Sequence, residues 1–115
     1  MKNEYLQSII RDLEILSKKQ KVAIWKRIAQ ELQKPTRSRR TVNVSKLAQY
    51  AKDGETMIVP GKVLGVGETD KAIRVVAYEF SQTAKEKILA QKGTCKTIVE
   101  EMKKNPKGNK LRIIG

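Results

Sequence analysis

Positive charge is distributed unevenly along this chain, and the distribution limits how tightly parts of it can pack. The 115 residues include 25 Lys and Arg against 12 Asp and Glu, with no His, for a formal net charge of +13. No acidic residue lies between Glu31 and Asp53, and none follows Glu101. Such patches repel themselves in a compact fold, and a polyanion relieves the repulsion because its condensed counterions are released on binding. The charge pattern therefore favours a nucleic-acid-binding protein.

Residues that usually carry catalysis or metal binding are scarce. Histidine, the side chain best suited to proton transfer near neutral pH, is absent. Cys95 is the single cysteine, so the chain can form neither an internal disulfide nor a thiolate zinc cluster, which fits a reducing cytoplasm. Gly65 and Gly67 lack the third glycine of a dinucleotide-binding loop, because Asp70 stands in its place. We expect no catalytic residue, metal ligand, cofactor or small-molecule substrate.

Apolar residues in the first third recur with helical spacing. They lie at three- and four-residue intervals from Leu6 to Leu16 and again from Val22 to Leu32. Between the two series, Ser17 to Gln20 has the form of a capping box, which predicts a helical hairpin over residues 1–33 rather than one long helix. No apolar run approaches the ~18–20 residues needed to span a bilayer, so we expect no membrane partner.

Residues 34–44 are interpreted as a basic connector. Pro35 ends the second helix, and the arginine-rich segment after it contains no acid, no glycine and almost no apolar residue. The planar guanidinium groups of Arg37, Arg39 and Arg40 can fork onto phosphates or stack on unpaired bases. A solvated linker is the alternative for this segment, and we favour RNA contact because Arg outnumbers Lys there and acids are missing.

Residues 45–115 are predicted to form a mixed α and β core. Ser45 is expected to cap a short helix that stops at Asp53-Gly54. Two β-prone runs, Thr56 to Val59 and Lys62 to Val66, are separated by a predicted Pro60-Gly61 turn. The strongest strand is Ile73 to Phe80, whose apolar residues alternate so that both faces are buried, with Phe80 on the side of Val76 and Tyr78.

Two further helices and one strand complete the prediction. Ser81 caps a helix that Gly93 closes, and Thr97 with Glu100 forms a capping box for the next helix. The last strand runs from Leu111 to Ile114.

The segment Pro60-Gly61-Lys62-Val63-Leu64-Gly65 is the most specific part of a family resemblance that covers nearly the whole chain. The chain resembles the archaeal and eukaryotic large-ribosomal-subunit protein eighteen-e family, a relative of bacterial large-subunit protein fifteen. Its short length is similar to that of archaeal members. The resemblance implies an irregular superhelical core of β-β-α turns with short strands, preceded by helices and embedded in large-subunit RNA. Supporting matches are Trp25 to Ala29, Lys34 to Arg37, Val42 to Val44, Asn105 to Gly108 and Arg112 to Ile114.

Residues and resemblance together predict a non-enzymatic structural constituent of the large ribosomal subunit, located in the cytoplasm, that binds and clamps ribosomal RNA. Its expected partners are large-subunit ribosomal RNA and neighbouring ribosomal proteins. A general basic nucleic-acid-binding protein of chromatin or RNA-processing type is the alternative. We expect a conformational role for Gly61 and close backbone approach to RNA at Gly65 or Gly67. The predicted RNA contacts are Lys34, Arg37, Arg39, Arg40, Lys46, Gly61, Lys62, Gly65, Gly67, Lys107, Gly108 and Lys110.

Overall fold

The structure, a computed structural model, describes residues 4–35 and 40–114. It is a mixed α/β fold with an N-terminal helical hairpin, as predicted. The elements in chain order are α1 (Glu4–Gln20), α2 (Ala23–Leu32), β1 (Arg40–Asn43), α3 (Val44–Tyr50), β2 (Thr56–Leu64), β3 (Arg74–Phe80), α4 (Gln82–Ala90), β4 (Thr94–Thr97), α5 (Ile98–Lys104) and β5 (Leu111–Ile113).

The hairpin forms as predicted, but its turn is not built by a capping box. α1 continues through Gln20, and Lys21 then takes a left-handed backbone conformation with φ of 56°. The hydroxyl of Ser17 donates to the carbonyl of Val22 at 2.7 Å, so it closes the end of α1 instead of capping α2. Val22 occupies the N-cap of α2 without a side-chain hydrogen bond. The predicted break between two helices is therefore confirmed, but the predicted capping box at Ser17 to Gln20 is wrong.

All strand pairs of the sheet are parallel, and the order β1-β2-β3-β4 is joined by β5, which pairs with β2. β3 pairs with one edge of β2 along most of its length. The opposite edge of β2 is shared by β5 and β1. β5 pairs with Thr56 to Ile58, and β1 pairs with Gly61 to Leu64. The β2 edge therefore has two different neighbours, one at each half.

The predicted Pro60-Gly61 turn is absent, because both residues lie inside β2. Pro60 falls between the β5 and β1 pairings, where its missing N–H costs no ladder hydrogen bond. On the β3 side, the register shifts between Val59 and Lys62, which is a β-bulge. The shift pairs Val63 with Phe80 and brings Phe80 to the same core as Val59. Phe80 therefore faces away from the cluster of Val76 and Tyr78, contrary to prediction.

Two apolar clusters cover the two faces of the sheet. One packs α3 and α4 on Met57, Val59, Val63, Val75 and Ala77. The other packs α1, α2 and α5 on Ile58 and Val76. β2 and β3 are thus buried on both faces, as the alternation predicted for β3 and as is typical of parallel sheets.

The caps of α4 and α5 are confirmed. The Ser81 hydroxyl accepts the Ala84 amide at 3.1 Å, and Thr97 and Glu100 form a reciprocal capping box. Hydrogen bonds from Thr97 hold the pKa of Glu100 below its usual range. At the end of α4, Gly93 donates its amide to the Ile88 carbonyl at 3.0 Å.

Two local predictions need correction, and one strand was missed. Ser45 lies inside α3, whose N-cap is Asn43 and which ends at Tyr50. β4 was not predicted at all. β1 lies within residues 34–44, so this segment is not a connector along its whole length.

Candidate nucleic-acid interface

One group of predicted contact residues lies at the carboxyl ends of β1 and β2. Lys62 is exposed near the end of β2, and Lys46 is exposed in α3, directly after β1. The loop from Gly65 to Gly67 follows β2. It lies against the first turn of α3, where the Ser45 amide donates to the Val66 carbonyl at 3.3 Å, and Gly65 packs against Thr83 in the first turn of α4. The sheet topology therefore brings these residues to one end of the molecule.

Three glycines at this end are required by protein packing. Gly61 has no left-handed φ, but a Cβ there would overlap the Arg40 carbonyl of β1, so the expected conformational role is wrong. A Cβ on Gly65 would lie 2.6 Å from Cγ2 of Thr83. Gly67 has φ of +83°, and its Cβ would overlap Ser45. Close approach of this backbone to RNA stays a prediction.

Lys87 of α4 holds the Gly65 to Gly67 loop in place. Its Nζ donates to the carbonyl oxygens of Gly65 and Gly67, each at 2.7 Å, and lies 3.1 Å from Oε1 of Glu68. These three contacts match the three donors of an ammonium group. Lys87 was not among the residues predicted from the sequence, because a lysine near the end of a helix resembles an ordinary solvated charge.

Arg40 is tied to the hairpin. Its Nε donates to Oε1 of Glu31 at 2.9 Å, while Lys34 Nζ lies 2.9 Å from Oε2 of the same carboxylate. The hydrogen bond from Lys34 is the main reason that the pKa of Glu31 lies below its usual range, and Arg40 lowers it further. Two of the predicted RNA-contact cations therefore share one acid. Arg37 and Arg39 lie outside the described residues.

A second group of predicted residues lies at the opposite end of the sheet, in the loop between α5 and β5. Asn105 organises this loop, because its side chain donates to the Asn109 carbonyl at 2.9 Å and accepts the Asn109 amide at 3.1 Å. Gly108 has φ of +65° and packs against Ile24 of α2. Lys107 and Lys110 are exposed on this loop. The ten predicted residues that the structure describes thus do not form a single patch.

Three features of residues 4–35 and 40–114 bear on metal binding, cysteine reactivity and membrane insertion. No group of three or more metal-ligating side chains occurs there. Cys95 is half-buried, and burial raises the pKa of its thiol, which disfavours the nucleophilic thiolate. No described helix is long and apolar enough to cross a bilayer.

These features define a small basic α/β protein with exposed lysines at both ends of a parallel sheet. The chain belongs to the family of ribosomal proteins 50S-L15, 50S-L18e and 60S-L27a, whose family model matches residues 5–96. It is 45% identical over 112 residues to the large ribosomal subunit protein eL18 of Methanosphaerula palustris, covering 97% of this chain and 93% of that protein.

Two further archaeal proteins of the same name show the same level of similarity. The eL18 proteins of Methanothermobacter thermautotrophicus and Archaeoglobus fulgidus are each 43% identical over 97% of this chain, and cover 93% and 96% of their own lengths. The comparisons confirm the family resemblance. They also confirm the prediction of a non-enzymatic protein, because the family consists of structural ribosomal components.

Proposed function

We propose that this protein is a structural constituent of the large ribosomal subunit in the cytoplasm, where it binds and clamps ribosomal RNA and contacts neighbouring ribosomal proteins. The observation that carries the proposal is the nearly full-length similarity to proteins named as large-subunit components. The net charge of +13 supports an RNA partner, because each phosphate contact releases condensed counterions.

The placement of charge explains how a clamp works. The side chains of Lys46, Lys62, Lys107 and Lys110 are exposed and form no ion pair in the part of the chain that the structure describes. They project from opposite ends of a sheet that is buried on both faces and is therefore rigid. Phosphates bound at the two ends are held at a fixed separation, and each phosphate that a lysine neutralises lowers the repulsion between the RNA segments.

Binding to large-subunit ribosomal RNA should depend steeply on salt. If about 6–8 phosphates are contacted, the slope of log affinity against log salt is about −4 to −7, at ~0.7–0.9 per phosphate. Affinity is measured by fluorescence anisotropy across a salt series, with duplex DNA of equal length as competitor. A salt slope near zero contradicts the proposal. Equal affinity for RNA and duplex DNA also contradicts it and favours the alternative of a chromatin-type protein.

Paired variants separate specific contacts from total charge. Lys46→Gln with Lys62→Gln should weaken RNA binding about tenfold, whereas Lys18→Gln with Lys19→Gln on α1 removes the same charge from outside the proposed contacts. Co-sedimentation with large subunits through a high-salt wash tests assembly directly. Equal losses for both pairs would show that net charge alone drives binding.

A further inference from the structure

A groove of about 370 Å³ lies at the amino ends of β2, β3 and β4. Its polar lining includes Thr56, Thr94, Asn105 and Asn109, which supply hydroxyl and amide groups. Its charged lining consists of one acid, Glu101, and four cations. The cations are Arg74, Lys96, Lys104 and Lys110.

The parallel topology brings these four cations together from distant parts of the chain. Arg74 begins β3 and pairs with Thr94 at the start of β4, while Lys96 pairs with Val76 two positions further along. Lys104 ends α5. Lys110 precedes β5, and its carbonyl accepts the amide of Thr56 at 2.9 Å. Of the four, only Lys110 was predicted from the sequence as a contact residue.

Among the described residues, the groove carries an excess of positive charge, because four cations line it against one acid. None of the four cations forms an ion pair with a described carboxylate. Glu101 is only 6% exposed, and its Oε2 accepts a hydrogen bond from the Asn105 side chain at 3.1 Å. The Glu101 carboxylate is thus held by the loop before β5, and its single negative charge offsets only part of the charge of the four cations.

Lys104 lies close enough to Lys96 to disfavour the charged form of Lys96. The pKa of Lys96 is lowered, first by the neighbouring Lys104 and then by burial. Attraction from Glu101 and Glu100 opposes this shift but is weaker. Two adjacent ammonium groups repel each other, and an anion between them converts this repulsion into two favourable contacts. A lysine on the edge strand β4 also discourages strand pairing between molecules, but that role does not require a second lysine beside it.

We propose that this groove binds a phosphate of the ribosomal RNA backbone between Lys96 and Lys104, with Arg74 and Lys110 flanking it. The inference rests on the proposed function and adds a contact site to it. A phosphodiester is favoured over free phosphate because the groove adjoins the exposed Lys107 to Lys110 loop, so a polymer can follow the charge beyond the groove. Threonine, asparagine and lysine side chains are common partners of backbone phosphates.

The test compares two double variants of equal charge. Lys96→Gln with Lys104→Gln should weaken binding to large-subunit RNA about tenfold and reduce the magnitude of the salt slope by about one, the value for one lost phosphate contact. Lys92→Gln with Lys103→Gln removes two nearby exposed lysines that do not line the groove, and should leave the slope unchanged. Circular dichroism and thermal melting establish that both variants are folded.

A second readout follows the side-chain resonances of Lys96 by NMR during pH titration. Adding an RNA oligonucleotide should raise the pKa of Lys96, while inorganic phosphate at equal phosphate concentration should have a much smaller effect. A response to inorganic phosphate alone would overturn the RNA assignment. The inference is overturned if the salt slope is unchanged in Lys96→Gln with Lys104→Gln. If Lys46→Gln with Lys62→Gln still weakens RNA binding, the proposed function stands. Failure of the unmodified protein to bind ribosomal RNA overturns both.

Discussion

The indole Nε1 of Trp25 donates a hydrogen bond to the carbonyl oxygen of Pro106 at 2.8 Å, across 81 positions of the chain. Trp25 is fully buried in α2, and Pro106 lies in the loop between α5 and β5. Gly108 allows the loop to lie this close, because a Cβ there would be 2.8 Å from Cγ2 of Ile24. The N-terminal hairpin therefore supports the loop that carries Lys107 and Lys110.

Replacing Trp25 tests this support. Trp25→Phe keeps a large ring but leaves the Pro106 carbonyl without its donor, so the free energy of unfolding should fall by about 1–3 kcal/mol. Urea denaturation measures the loss. Tyr50→Phe, which changes an exposed ring, is the control and should stay within about 0.5 kcal/mol of the unmodified protein. Equal stability of the two variants would contradict the importance of the Trp25 hydrogen bond.

Gly67 and Gly54 offer a matched pair with left-handed φ of +83° and +79°. Alanine at Gly54 meets nothing within 4 Å and should cost only the backbone penalty, about 1–2 kcal/mol. Alanine at Gly67 also overlaps Ser45 and should cost more. Adding Ser45→Gly should relieve part of this excess in a double-mutant cycle. Additive effects of Gly67→Ala and Ser45→Gly would show that the overlap is not the cause.

Lys87→Met should destabilise the protein by about 1–3 kcal/mol, because the Gly65 and Gly67 carbonyls lose a charged donor. Lys85→Met removes the same charge from an exposed position on α4 and should have little effect. Thermal melting at fixed salt compares the two variants. If both shift the melting temperature equally, the contribution is one of net charge and not of the loop contacts.

Glu31 should make stability depend on pH in the acid range. Its pKa is lowered in the folded state by Lys34 and then by Arg40, so the folded state binds its proton less readily than the unfolded state. The resulting stabilisation is complete above the unfolded pKa of about 4.3 and is lost as pH falls through the lower folded value. The advantage of the unmodified protein over Glu31→Gln should therefore shrink below about pH 4.3. When Lys34→Gln and Arg40→Gln are present in both proteins, the effect of Glu31→Gln should lose this dependence on pH, because the two cations that lower the pKa of Glu31 are gone.

Local signals in the sequence predicted the helices and the N-caps of α4 and α5, although they misplaced the caps of α2 and α3, and the errors in the sheet come from long-range pairing. The Ser81 and Thr97 caps depend on residues three positions apart, so their patterns were sufficient. The dipeptide Pro60-Gly61 is typical of a turn. It fits inside β2 because Pro60 lies between the segments that pair with β5 and with β1, and this pairing cannot be read from the local sequence. The groove around Lys96 and Lys104 was missed for the same reason, because its cations converge only through the parallel sheet.

The division of the β2 edge also determines the order in which a nascent chain can complete its sheet. β1 precedes β2 and can pair with Gly61 to Leu64 as soon as that segment leaves the exit tunnel. Thr56 to Ile58 must wait for β5, which is synthesised after every other strand of the described sheet. Until then, this apolar half-edge exposes free backbone donors and acceptors to other chains. β5, only three residues long, thus closes the last open half of the β2 edge.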